Sequence, residues 1–154
     1  MGELDDAFCC LGTTRRAAGS AAAFRPVDLD YIAAFARLAK RAGAQRFLLV
    51  SSVGASPRSP LPYSRTKGEA ETAIAAIGFR TVVVLRPSSL VGSRAEERAG
   101  ASLAILAARV LGPLLVGPLR RYAPVDASAV AQTLVRAAAT APSGVTVIDA
   151  DGIH

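Results

Sequence analysis

A tyrosine and a lysine stand four residues apart in Leu61-Pro62-Tyr63-Ser64-Arg65-Thr66-Lys67-Gly68-Glu69-Ala70-Glu71, at the start of a stretch with helical character. Four residues are about 1.1 helical turns, so both side chains leave the same helix face. A phenol alone keeps its proton at neutral pH, with an ordinary pKa of about 10. A nearby ammonium favours the phenolate and makes the phenol usable as a general acid or base. The spacing by itself is weak evidence, because an aromatic ring over a solvated ammonium gives the same pattern on many exposed helices. Composition sharpens it. The chain carries 18 Lys and Arg, of which only Lys40 and Lys67 are lysines. A sequence that otherwise uses Arg has Lys where a titratable ammonium serves chemistry, and the two are not interchangeable there.

Several other chemistries are excluded or unsupported. The only histidine is His154, which argues against a Ser-His-Asp triad and a His-based metal site, so no metal is expected. Glu69 and Glu71 are two apart and cannot face each other on a helix, so they are not a glycosidase-type carboxylate pair. The net charge of +6 comes from scattered arginines without interleaved aromatics, and no nucleic-acid surface is expected. Cys9 and Cys10 are adjacent in an apolar run, where a disulfide between them is disfavoured and two buried thiols fit a reducing compartment. No charged-then-apolar leader opens the sequence, so a cytoplasmic location is expected. The apolar run from Ala101 to Leu119 is interrupted by Arg109 and Gly112-Pro113. A bilayer span needs about 20 largely uninterrupted apolar residues. This run reads instead as a buried or interface helix, the candidate surface for a homodimer or protein partner.

These residues must be positioned by regular elements. At 154 residues the chain is expected to form one domain with a sizeable core. Ala7-Phe8-Cys9-Cys10-Leu11 reads as a buried parallel strand ended by Gly12-Thr13-Thr14. After a loop to Ala23, Val27 to Ala42 has a helical period, with Pro26 and Asp28 marking its start and Gly43 its end. Asp28 and Asp30 are expected to complement that helix N-terminus. Arg46 to Val50 is the second strand, ending in Ser51-Ser52-Val53-Gly54. Tyr63 to Ile77 is a helix, and Thr81 to Leu85 is a strand closed by Arg86-Pro87-Ser88. A helix at Ser102 to Leu111, another from Pro124-Val125-Asp126 to Ala139, and a strand at Val145 to Ile148 complete the pattern. Alternating strands and helices predict an open α/β sheet with helices on both faces. Ligands of such sheets sit outside the strands' carboxyl ends. Gly12-Thr13-Thr14, Ser51-Ser52, Tyr63 with Lys67, and Arg86-Pro87-Ser88 all converge on that edge.

With these residues in place the chain resembles the short-chain dehydrogenase/reductase superfamily. More narrowly it is similar to the atypical members typified by the oxidoreductase Tat-interacting-protein family. The resemblance rests on Phe8-Cys9-Cys10-Leu11-Gly12-Thr13-Thr14-Arg15, Val27-Asp28-x-Asp30-Tyr31, Ser51-Ser52-x-Gly54-Ala55, Tyr63-x-x-x-Lys67-Gly68-Glu69-x-Glu71 and Arg86-Pro87. It implies a partial Rossmann-like, doubly wound parallel sheet that binds NADP(H), with NAD as the other choice. By resemblance, Tyr63 is the acid/base on the substrate oxygen, Ser52 hydrogen-bonds that oxygen, and Lys67 lowers the phenol pKa and holds the nicotinamide ribose. Gly12, Thr13 and Thr14 would line the cofactor, Pro87 with Arg86 and Ser88 would lie at its nicotinamide end, and Ser51 is the alternative to Ser52.

The resemblance also implies what is missing. None of the 13 glycines follow the G-x-G-x-x-G spacing that holds a pyrophosphate on backbone N–H groups. The first strands and that loop are therefore expected to be absent, leaving residues 1–154 as a single C-terminal catalytic portion. Two functions follow. One is an NAD(P)H-dependent oxidoreductase moving a hydride to or from a carbonyl or alcohol carbon of a small molecule. The alternative is a catalytically inactive cofactor-sensing or protein-interaction module with the same fold.

Overall fold

The computed structural model describes residues 4–13, 15–88, 90–91 and 124–154. Thr14, the expected helix Ser102 to Leu111 and the apolar segment from Ala101 to Leu119 lie outside the described residues. Four strands form one parallel sheet in the order β1, β2, β3, β6: β1 (Asp6–Cys9), β2 (Arg46–Val50), β3 (Thr81–Arg86) and β6 (Gly144–Asp149). Short β4 (Leu90–Val91) and β5 (Val125–Asp126) pair with each other beside it. The central strands β2 and β3 are apolar runs buried on both faces, whereas the edge strands leave Phe8, Val145 and Val147 exposed. β1 ends at Cys9 rather than forming the fully buried strand expected from Ala7 to Leu11. Side chains alternate across the sheet. Phe47, Leu49, Val82 and Val84 face one layer, and Leu48, Val83 and Leu85 face the other.

The first layer holds α3 (Ile32–Arg41) and α4 (Pro62–Ala75), which contribute Ile32, Ala36, Ala39 and Ile74 to one core. Phe47 is the centre of that core, with its ring 5.8 Å from Phe35 and 5.1 Å from Phe79. The second layer is α5 (Ala127–Thr140), whose Val130, Leu134, Ala137 and Ala138 recur on one helical face and cover Leu48, Val83 and Leu85. Asp126 caps α5 by accepting from the Ser128 N–H. The expected doubly wound α/β sheet is the observed one.

One helix begins earlier than its sequence signals suggest. After short α1 (Arg15–Ala18), Ser20 caps α2 (Ala21–Arg25), accepting from the Ala23 N–H at 3.0 Å. The helix runs on through a π-helical turn (Pro26–Tyr31) into α3. Pro26 marks the widened turn rather than a helix start: proline has no N–H to donate, and a π turn accommodates the lost bond. Asp28 is therefore not an N-terminal cap. It lies inside the helix, where its side chain is buried.

The two cysteines are free, and they differ: Cys9 is buried in β1 and Cys10 is exposed beyond it. Desolvation raises the Cys10 thiol above its ordinary range, and desolvation is also the main cause of the rise at Cys9. At pH 8 both hold less thiolate than a free cysteine, so alkylation by iodoacetamide should be slow, select Cys10 and accelerate as pH rises. The same sign applies to stability. The buried neutral thiol of Cys9 contributes below the ordinary thiol pKa, and the contribution disappears as pH rises through the raised folded value.

Gly68 is where α4 meets the loop before it. A Cβ there would lie 2.2 Å from the Ser56 carbonyl carbon and 2.3 Å from the Pro57 nitrogen. In an open helix Gly→Ala stabilises by about 1 kcal/mol. Here Gly68→Ala should instead destabilise by about 1–3 kcal/mol, read as a lowered urea midpoint.

Candidate functional site

Because the main strands are parallel, their carboxyl ends share one edge. Gly12 and Thr13 follow β1, Ser51 and Ser52 follow β2, and Pro87 and Ser88 follow β3. Pairing continues past the strands: Ser51 N–H donates to the Leu85 carbonyl at 2.7 Å, and Val53 N–H to the Pro87 carbonyl at 2.9 Å. Ser52 is thus held between two fixed backbone positions, half-buried at the edge.

Tyr63 and Lys67 occupy one face of α4, and that face meets a second pair of residues four apart. The Tyr63 ring lies over Phe24 of α2, with centroids 5.3 Å apart and planes at 34°. Lys67 Nζ lies 2.7 Å from Asp28 Oδ1. Arg25 pairs with Glu69 on the flank of the same seam. The ion pair is internal: the Lys67 side chain is 7% exposed and Asp28 0%. Asp28 Oδ2 accepts the Thr13 N–H at 2.9 Å, tying the loop after β1 to the helix. Asp28 Oδ1 makes no well-aligned hydrogen bond and is answered by the ammonium charge alone.

Gly12 completes this arrangement by having no side chain. A Cβ on it would come within 3.1 Å of both Asp28 Oδ1 and Lys67 Nζ. Gly12 itself is exposed, so a bare backbone separates the ion pair from the open edge.

A second carboxylate organises the β2 and β3 ends. Glu71, two α4 turns beyond Tyr63, binds Arg86 through a fork, Nη2 to Oε2 at 2.6 Å and Nε to Oε1 at 3.1 Å. The Ser51 hydroxyl donates to the same carboxylate. The Glu71 bond raises the Arg86 guanidinium further above its ordinary range. Ser51 and Arg86 are therefore engaged in holding the strand ends to α4.

Lys67, Gly12 and Thr13 come together around Asp28, and Pro87 is buried at the β3 end. Tyr63 and Lys67 share a helix face, while no hydrogen bond joins Ser52 to Tyr63 among the described residues. Sequence reasoning missed Asp28 as Lys67's partner and Glu71 as the tie between strands. The cap-like Ser20 ahead of Ala21 was the signal for the earlier helix start. Among the described residues no cluster of His, Cys, Asp and Glu could hold a metal, and no helix is long and apolar enough to cross a membrane.

No family model matches the chain. Protein HTATIP2 of Rattus norvegicus is 46% identical over 100 residues, which cover 65% of this chain and 41% of that protein. Protein fmp52-1, mitochondrial, of Aspergillus terreus is 38% identical over 137 residues, covering 89% and 59%. Among solved structures, MoeE5 in complex with UDP-glucose and NAD matches with a TM-score of 0.67 at 17% identity, over 94% of this chain and 55% of that one. The Bacillus cereus enoyl-acyl carrier protein reductase with NADP+ matches with a TM-score of 0.55 at 13% identity, over 97% and 65%. In sequence the chain is related to the HTATIP2 and FMP52 proteins, and its fold is the Rossmann-type fold of the epimerases and reductases it matches. It spans about half the length of the curated relatives it matches. Several fungal relatives are named as mitochondrial proteins, which overturns the cytoplasmic expectation. That expectation rested only on the absence of a leader pattern, which does not discriminate here.

The buried pair makes a stability prediction. Lys67→Met keeps volume but leaves Asp28 without its counter-charge, and removing one partner of a buried ion pair costs about 3–5 kcal/mol. Urea unfolding at pH 7 should register a loss of that size, and the Asp28→Asn/Lys67→Met double variant should recover part of it.

Proposed function

We propose that this chain is the catalytic portion of an oxidoreductase that uses a nicotinamide dinucleotide, NADP(H) by preference, on a carbonyl or alcohol carbon of a small molecule. The observation that carries the reading is Lys67, buried beside side-chain-free Gly12 at the carboxyl edge of a parallel sheet, with Tyr63 one turn earlier on the same helix face. Binding of nucleotides at that edge is the general behaviour of such sheets. The resemblance carried by the sequence motifs, and the NAD and NADP+ present in the two fold neighbours, point the same way.

The residues present fit the nicotinamide-ribose end of the cofactor. At Gly12 only bare backbone stands between the sheet edge and the Lys67 ammonium, which would hold the ribose hydroxyls. Thr13 lines the same loop, and Pro87 with Ser88 would bound the nicotinamide end. Ser51 and Arg86 shape the edge through Glu71. The pyrophosphate has no glycine-rich cradle in this chain. The bound nicotinamide supplies or accepts the hydride.

The chain's own residues manage the proton. In reduction, the Tyr63 hydroxyl donates its proton to the oxygen of the substrate carbonyl as negative charge develops on it. The Ser52 hydroxyl donates a second hydrogen bond to that oxygen, as preorganised donors do at a developing oxyanion. In oxidation the proton returns to the Tyr63 oxygen. The Phe24 ring fixes the orientation of the phenol by packing against it.

A second reading, a protein-binding module without turnover, is favoured by a different observation. A groove of about 260 Å³ runs along β1, lined by Phe8, Cys9, Cys10, Leu11 and Phe35. Among the described residues β1 pairs only with β2. The two readings separate in a protein of its relatives' length. Tyr63→Phe should lower carbonyl turnover about a hundredfold or more, the scale of a general acid, with NADPH affinity nearly unchanged. Turnover that persists in Tyr63→Phe contradicts the assignment, and the absence of any turnover favours the binding module.

A further inference from the structure

Asp28 is the most deeply buried charged group described, and neither the proton relay nor the hydride step uses it. We propose that Asp28 is the positioning residue of the site: its carboxylate fixes the Lys67 ammonium against the Gly12-Thr13 loop and cancels its charge. The proposal deepens the functional reading, and rests on it for the claim that Lys67 meets a ligand.

The geometry assigns each carboxylate oxygen to a different element. Oδ1 faces Lys67 of α4 at 2.7 Å, and Oδ2 takes the Thr13 N–H of the loop after β1 at 2.9 Å. Asp28 itself sits on the π turn, where a wider helix sets its side chain between those two. Three elements therefore converge on one group, and Gly12 leaves space for it with no atom to spare. A carboxylate wholly out of water retains its charge only when paired. Lys67, buried too, needs the same partner. Each group holds the other in place, with its rotamer fixed by the charge-assisted contact.

The neutral sum has a consequence for recognition. Lys67 without Asp28 would present a full positive charge, suited to a phosphate. Paired with Asp28 it offers N–H donors with no net charge, suited to neutral hydroxyls. The pair therefore selects for a ribose-like diol beside Gly12, and against a phosphate there.

Because Lys40 and Lys67 are the only lysines, the proposal can be tested on the 154-residue chain itself. The chain is acetylated with limiting acetic anhydride at pH 8, and the two sites are followed by peptide mass spectrometry with Lys40 as internal reference. A Lys67 Nζ held 2.7 Å from Asp28 by a side chain only 7% exposed is shielded from the anhydride, so Lys67 should react at least about tenfold more slowly than Lys40. Asp28→Asn keeps the shape and the acceptor for Thr13 but removes the charge, and should raise the Lys67/Lys40 ratio severalfold. A shape-only role for Asp28 would leave that ratio unmoved. If Asp28→Asn does not fold by circular dichroism, the wild-type chain labelled with 15N-lysine decides. Its Lys67 ammonium protons should exchange slowly enough to be observed at pH 7, unlike those of Lys40. Equal reactivity of the two lysines in the wild type, an unchanged ratio in a folded Asp28→Asn, or a fast-exchanging Lys67 overturns the proposal. A separate arm with NADPH keeps the readings apart: no change in Lys67 labelling with NADPH counts against the cofactor assignment, whereas the measurements made without NADPH judge the positioning role.

Discussion

A carboxylate removed from water must be answered by charge and hydrogen bonds, and the site's local architecture follows from meeting that demand at Asp28. Its two oxygens require a cation and an N–H donor from different directions. The cation comes from α4, which must therefore pack along α2 and the π turn. That packing sets Tyr63 on Phe24 and Glu69 on Arg25. The donor comes from Thr13, so the loop after β1 must fold over the pair, close enough that a Cβ at position 12 would sit 3.1 Å from both charged atoms. Removing the Lys67 ammonium leaves the Asp28 carboxylate buried without its counter-charge, a loss of about 3–5 kcal/mol.

The same design recurs at the neighbouring strand ends. Glu71 receives the Arg86 fork and the Ser51 hydroxyl, so one carboxylate of α4 fastens both β2 and β3. A single helix thus carries the phenol, the ammonium and the tie that aligns the strand ends. The loop bearing Ser52 is then set by backbone bonds to Leu85 and Pro87 rather than by side-chain choice. Catalytic groups drawn from several elements hold their relative placement when the elements are cross-linked this way.

The parallel sheet was legible because its signal is local. Runs such as Phe47-Leu48-Leu49 and Val82-Val83-Val84 announce strands buried on both faces, and their small or polar ends announce the binding edge. The Tyr63/Lys67 pair was legible for the same reason: its period is the helix's own. Asp28 was not, because a capping aspartate and a buried one look alike when the helix start is placed at Pro26 rather than at Ala21. Proline normally signals a first turn, and a π turn inside a helix has no sequence period of its own. Glu71 was weighed only as one half of a carboxylate pair with Glu69, since its partners Ser51 and Arg86 are distant in sequence. Long-range electrostatics is settled by packing, and a single chain's periodicity does not encode it.

The central claim is that the edge around Lys67 and Gly12 binds a nicotinamide dinucleotide. The most direct measurement is isothermal titration of NADPH into the 154-residue chain, with NADH in parallel and the charge-neutral Asp28→Asn/Lys67→Met variant as the comparison. The account predicts saturable binding at about micromolar affinity, near −8 kcal/mol, weakened at least about tenfold in the variant. Binding of equal strength in both folded proteins, or no heat at all from a folded wild-type chain, would contradict it.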